Sequence, residues 1–73
     1  MEKYLVAFRM SGDRGSRLRE ITATDHETAQ HVYAALQRLP DLHTIKLCEW
    51  RPGGEGALGR YAPGYYVVLS ASG

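Results

Sequence analysis

The chain lacks most of the devices that very small proteins use to stabilise themselves. It has 73 residues and a single cysteine, which excludes an intrachain disulfide and is typical of a reducing compartment. No CxxC or HxxxH spacing occurs, so we expect neither a metal nor another cofactor. A chain of this length buries only about 60% of the surface that its unfolded form exposes. Self-association is therefore the most plausible additional source of stability.

Long apolar runs and an excess of one charge are also missing. The N-terminal segment has no apolar stretch as long as that of a signal peptide, and no segment approaches the length of a membrane span. We therefore expect a cytoplasmic protein without membrane contact. Nine basic and eight acidic residues give a formal charge of +1. Nucleic-acid-binding domains usually carry a broad basic excess, so this class is an alternative and not the leading interpretation.

What the sequence does contain is an apolar periodicity that predicts four strands and one helix. The strands are expected at residues 3–10, 17–23, 42–50 and 65–71, and the helix at about residues 25–39. Thr24 and Glu27 match a capping box at the helix start, and Pro40 ends the helix. The order β-β-α-β-β predicts one α+β domain over residues 1–73. Its four-stranded antiparallel sheet has the strand order 2-1-3-4, with the helix on one face.

One helix covers only one face of such a sheet. The residues expected beneath it are Tyr4, Val6, Phe8, Ile21, Ala23, Ile45, Leu47, Val67 and Leu69. The other, open face would expose aromatic and aliphatic side chains, and a contiguous apolar patch usually marks an interface. We predict that this face forms a homodimer contact. The residues of the predicted contact are Leu5, Ala7, Leu18, Cys48, Trp50, Tyr66 and Val68.

A connection rich in glycine and proline, RPGGEGALGRYAPG, spans residues 51–64. Structureless connections of this length are uncommon in compact domains and are often functional. No Gly-Lys-Ser/Thr and no helix follows it, so it does not match a phosphate-binding loop of nucleotide-binding proteins. We predict that it contacts a protein partner, while a flexible hairpin connection and an anion-binding loop stay open. The candidate contact residues are Arg51, Glu55, Leu58, Arg60 and Tyr61.

Arg14, Arg17 and Arg19 cluster around the first hairpin. They are candidate contacts for nucleic acid or another anion, and a solvated hairpin tip is the alternative interpretation. No catalytic residue is predicted, because His43 and Cys48 form the one obvious Cys–His pair and lie at positions of opposite parity in one strand. The serines are not flanked by glycines in a nucleophile elbow.

Together these features favour a small, non-catalytic protein-interaction module that acts as an adaptor, regulator or inhibitor. It would self-associate through its open sheet face and use the 51–64 loop to contact an unidentified protein partner. Two other functions remain open. One is nucleic-acid binding through the sheet face and the hairpin at residues 14–19. The other is binding of a small anionic ligand or nucleotide at a pocket between subunits.

Overall fold

The structure is a computed structural model that describes residues 3–54 and 63–72. Its elements are β1 (Tyr4–Met10), β2 (Arg19–Ala23), α1 (His26–Gln37), β3 (Leu42–Arg51) and β4 (Tyr65–Ser72). Every neighbouring pair of strands is antiparallel, and the order in the sheet is β2-β1-β3-β4. The predicted fold class and strand order are therefore confirmed. No helix of the described part is long and apolar enough to cross a membrane.

The hydrophobic core lies between α1 and the two central strands, β1 and β3. Val6 on β1 is only 1% exposed and is paired with Leu47 on β3, while Ala29 is the fully buried residue of the helix. The apolar stripe of α1 adds Val32, Tyr33 and Leu36, which are partly buried against this cluster. Residues at this spacing share one helix face, which is why a single stripe can close the core.

The outer strands are covered less than the sequence predicts. Between Leu47 and Cys48 the register with β4 shifts, so that Leu47 pairs with Ser70 and Cys48 with Val68. Leu69 falls between these pairs, is 39% exposed and does not lie beneath the helix. The prediction for Leu69 was wrong because a bulge breaks the alternation of side chains along a strand. No described residue of β4 belongs to the core cluster.

At the other edge of the sheet, Ile21 is paired with Val6 and therefore lies on the helix side. It is nevertheless 38% exposed. The helix thus covers it only in part, because β2 is an edge strand at the margin of the helix.

The first hairpin is longer than predicted, since β2 begins at Arg19 and not at residue 17. The N–H and the hydroxyl of Ser11 both donate to the carbonyl of Asp41, at 2.7 and 2.9 Å, and tie the loop to the turn before β3. Gly15 has a φ of +84°, a conformation that favours glycine. Residues 11–18 thus form a structured loop, and β2 begins only after it.

The helix begins one residue later than the capping-box pattern predicts. Asp25 is the N-cap, with extended backbone angles of −140° and 157°, and its carboxylate accepts from the N–H of Thr28 at 2.7 Å. The Thr28 hydroxyl donates to the other carboxylate oxygen at 2.8 Å. The predicted capping role of Thr24 was wrong because Asp25, an equally good cap residue, occupies the position from which the first free N–H groups can be reached.

We expect Asp25→Ala to lower the urea midpoint of unfolding, because the N–H of Thr28 at the helix start loses its acceptor. Thr24→Ala is the matched control and should leave the midpoint nearly unchanged. Both midpoints can be followed by circular dichroism at 222 nm. A larger loss for Thr24→Ala than for Asp25→Ala would contradict this assignment of the cap.

Candidate functional site

The centre of the open face is already buried within one chain. Leu5 and Ala7 alternate with the core residues of β1, and Leu5 is paired with Cys48 on β3. These three residues of the predicted dimer contact are 8%, 2% and 2% exposed, respectively. They can therefore contribute little additional burial when another molecule binds.

The exposed apolar surface of this face lies towards β4. Val68 is 52% exposed, whereas Trp50 and Tyr66 are half-buried. Trp50 pairs with Tyr66 across the β3–β4 ladder, and Cys48 pairs with Val68 in the next row of the same face. Leu18 lies apart from them and lines a shallow groove of about 440 Å³ with Ala7, Lys46 and Ala71. We call Trp50, Tyr66 and Val68 the apolar patch.

Trp50 is held in place by neighbours on three sides. Its ring centroid lies 4.9 Å from that of Tyr66 in an edge-on arrangement with an interplanar angle of 68°. The Nζ atom of Lys3 lies 5.1 Å from the indole centroid, a cation–π distance. The backbone N–H of Trp50 also donates to the backbone carbonyl of Lys3 at 2.8 Å. A Cβ atom built on Gly64 would overlap atoms Cζ2, Cε2 and Cη2 of the indole, so this position requires glycine.

We expect Gly64→Ala to lower the free energy of unfolding by about 1–3 kcal/mol, because the added methyl group displaces the indole ring. The intrinsic fluorescence of Trp50, the sole tryptophan, should shift as its surroundings change. Gly54→Ala is the matched control: a Cβ there meets no described atom within 4 Å, so its effect should be close to zero. Equal losses in the two variants would contradict the close approach of Gly64 to Trp50.

The 51–64 loop begins at Arg51, two residues after Glu49, which pairs with Tyr4 on β1. Arg51 is exposed at the end of β3. Nearby, the ring of Tyr4 on β1 lies 5.4 Å from that of His26 at the start of α1. The other four predicted contact residues lie outside the described residues: Glu55, Leu58, Arg60 and Tyr61.

The three arginines around the first hairpin differ in the contacts that they make. Arg19 forms a two-point ion pair with Asp13, with Nη2 2.6 Å from Oδ1 and Nε 2.9 Å from Oδ2. The N–H of Met10 donates to the same carboxylate at 3.1 Å. These hydrogen bonds, that of Arg19 above all, hold the pKa of Asp13 below its ordinary value of 3.8. Arg14 and Arg17 are exposed. The three arginines that were predicted to contact an anion are therefore not equivalent, because Arg19 is already paired with Asp13.

Because the folded-state pKa of Asp13 is lowered, its contribution to stability is complete above its unfolded pKa and is lost as the pH falls through the folded value. We expect Asp13→Asn to reduce the loss of stability between about pH 5 and pH 2. Arg19→Gln should have a similar effect, since it removes the largest cause of the shift. Urea midpoints measured across this range test the assignment, and a full wild-type pH dependence in Asp13→Asn would contradict it.

The described residues offer no evident catalytic or metal-binding arrangement. Burial raises the pKa of the Cys48 thiol, which favours the unreactive protonated form. His43 is exposed and lies at a position without a partner on β1, between the pairs of Thr44 and Leu42. Among the described residues no group of three or more His, Cys, Asp or Glu side chains could hold a metal ion.

Comparisons with protein-family models, with curated proteins and with solved structures find no match for this chain.

Sequence reasoning missed several residues that shape this surface. Lys3 has the same parity as Leu5, so its place on the open face was available from the alternation, but its contact with Trp50 depends on the pairing of β1 with β3. Gly64 gave no local signal, because glycine is equally common in any turn. The side-chain exposure of Tyr65, at 55%, follows from the position of β4 outside the core.

Proposed function

We propose that the chain is a small, non-catalytic protein-interaction module that self-associates through the apolar patch of Trp50, Tyr66 and Val68. The observation that carries this proposal is the exposure of Val68 beside two half-buried aromatic residues, on the face opposite the helix. Contiguous apolar surface of this kind usually marks a contact with another molecule. Aromatic residues also supply much of the binding energy of protein interfaces.

The small size of the core supports the same proposal. Val6 is the one large side chain of the described part that is less than 2% exposed. In α1 the buried residue is Ala29, and the larger apolar side chains of the helix are only partly buried. A domain with so little buried apolar surface is marginally stable, and association adds burial without enlarging the chain.

A non-catalytic role is supported by the state of the polar groups. Apart from the phenol of Tyr4 and the thiol of Cys48, no polar or charged group of the described side chains is buried, whereas catalytic sites usually hold several such groups in a fixed, partly desolvated position. The exposed Arg51 and the loop that it opens are the proposed contact with a second protein. Loops positioned by a rigid sheet often carry binding residues.

The two alternative functions find less support. Base stacking needs an accessible aromatic face, but Lys3, Tyr66 and Gly64 already surround the indole of Trp50. Arg19, one of the three hairpin cations, is engaged by Asp13. For a small anionic ligand, the open groove beside Lys46 gives little support, because no buried polar side chain of its lining would orient the ligand.

Sedimentation equilibrium tests the proposal directly. The unmutated protein should form a species with twice the 8.1 kDa mass of one chain. Val68→Lys should raise the dissociation constant by at least about tenfold, because association would bury an unpaired charge. Ala34→Lys is the control, since it adds the same charge at an exposed position on the outer side of α1.

Two results would count against the proposal. One is a monomeric unmutated protein at millimolar concentration. The other is equal weakening by Val68→Lys and Ala34→Lys. Binding of single-stranded RNA that weakens steeply with salt and does not respond to Val68→Lys would favour the nucleic-acid alternative instead.

A further inference from the structure

The outer edge of β4 lacks charged side chains and proline, two of the features that usually protect an edge strand, and is interrupted only by the bulge at Leu69. Charged side chains and proline are common on such edges, because the unpaired backbone groups otherwise attract another strand. The eight residues of β4, YYVVLSAS, contain neither. The opposite edge strand, β2, carries Arg19 and Glu20 within five residues. The sheet therefore has one protected edge and one unprotected edge.

The direction of the backbone groups on β4 follows from one hydrogen bond. The Trp50 N–H donates to Lys3, so the backbone polar groups of Trp50 point towards β1. Consecutive residues of a strand point these groups to opposite sides. Glu49 therefore points towards β4, where it pairs with Val67. The N–H and C=O of Tyr66 and Val68, the neighbours of Val67, are consequently directed to the outer edge.

Exposed apolar side chains are concentrated on the same strand. Five large hydrophobic residues of the described part are exposed, and three of them belong to β4: Tyr65 at 55%, Val68 at 52% and Leu69 at 39%. They lie on both faces of the strand: Val68 is on the open face with Cys48, and Tyr65 has the parity of Val67 on the helix face. A surface that covered only the open face would leave Tyr65 exposed.

We propose that the occupant of this edge is the β4 strand of a second copy, paired antiparallel about a two-fold axis at Val67. This inference rests on the proposed function, because it specifies how the self-association takes place. In this register Tyr66 of each copy lies opposite Val68 of the other, and both residues have outward-directed backbone groups to exchange. Beyond this pair the regular ladder meets the bulge at Leu69, so Val68 gains a direct cross-strand neighbour and Tyr65 faces the bulged residue of the second copy.

Edge pairing fits the charges better than stacking of one open face on another. The open face also carries Lys3, Lys46 and Glu20, while its central residues Leu5 and Cys48 are already buried. Stacking would desolvate these charged groups and gain little from the centre of the face. Pairing of β4 with itself brings no charged side chain of either strand into the ladder.

The two edges also explain why association would stop at two copies. Pairing of β4 with β4 is isologous and uses up both unprotected edges, whereas pairing of β4 with β2 would continue into a filament. The charges of Arg19 and Glu20 on β2 disfavour that second arrangement.

Two substitutions at Val68 separate the backbone from the side chain. Val68→Pro removes the outward N–H and leaves the N–H groups that bond β3 in place, and proline is tolerated at such positions of edge strands. Val68→Ala shortens the side chain and retains the N–H. We expect Val68→Pro to raise the dimer dissociation constant at least about tenfold above that of Val68→Ala in sedimentation equilibrium. Circular dichroism checks that both variants fold.

A disulfide test covers the case in which Val68→Pro does not fold. At the proposed axis, Val67 of one copy faces Val67 of the other in a non-hydrogen-bonded pair, whose Cα atoms are about 4.5 Å apart. This distance permits a disulfide. In a Cys48→Ala background, Val67→Cys should therefore form a covalent dimer under mild oxidation, and Ser72→Cys, on the same strand but far from the axis, should form much less.

The outcomes distinguish this inference from the proposed function. Dimers of equal strength in Val68→Pro and Val68→Ala, or equal crosslinking at positions 67 and 72, would overturn edge pairing. If Val68→Lys nevertheless weakened the dimer relative to the unmutated protein, the proposed function would stand without this geometry. A monomeric unmutated protein would overturn both. Selective weakening by Val68→Pro together with selective crosslinking at position 67 supports the edge-paired dimer.

Discussion

The structure depends on the contact between one short helix and a sheet that is wider than the helix. Twelve residues of α1 correspond to a length of about 18 Å and, with side chains, a diameter of about 10 Å. Four strands spaced about 4.8 Å apart span roughly 14 Å between the outer strand axes. The helix can therefore close a core over β1 and β3, as the burial of Val6, Ile45 and Leu47 shows, but it leaves both edge strands partly uncovered.

The two partly uncovered edge strands carry different side chains, and this difference makes the two edges of the sheet unequal as binding surfaces. On β2 the exposed side chains include Arg19 and Glu20, and Arg19 is further used to fix the preceding loop through Asp13. On β4 the exposed side chains are Tyr65, Val68 and Leu69. An edge strand with charged side chains resists pairing with another strand. An apolar edge strand with unpaired backbone groups is stabilised by such pairing. Any association of this chain is accordingly expected on the β4 side of the sheet.

Sequence patterns predicted the parts of the fold in which each residue has neighbours on both sides. In β1 and β3 the alternation places Val6 and Leu47 on the helix side and Leu5 on the other, as observed. The order β2-β1-β3-β4 followed from the right-handed crossover rule, by which the connection from β2 through α1 passes over β1 to reach β3. These strands are central, so a change of register would turn every apolar residue towards the wrong face, and the pattern is correspondingly strong.

The features that sequence reasoning missed depend on contacts between distant residues or on backbone angles that residue types alone do not specify. The position of Leu69 depends on a register shift opposite Cys48, and no local pattern specifies a bulge. The choice between Thr24 and Asp25 as N-cap depends on which residue has extended backbone angles directly before the first turn. For the candidate site, alternation predicted the face of Trp50, but its enclosure by Lys3 and Gly64 requires the folded sheet.

Trp50 connects the two surfaces to which the sequence first drew attention. It directly precedes Arg51, where the 51–64 loop begins, and it contacts Gly64, where that loop ends. Trp50 is therefore next to both described ends of the loop. With β4 strands paired about Val67, Gly64 of each copy would lie opposite Ser70 of the other. The described end of the loop at Gly64 would then lie next to the second copy, so the proposed self-association and the proposed partner contact would share one region of the surface.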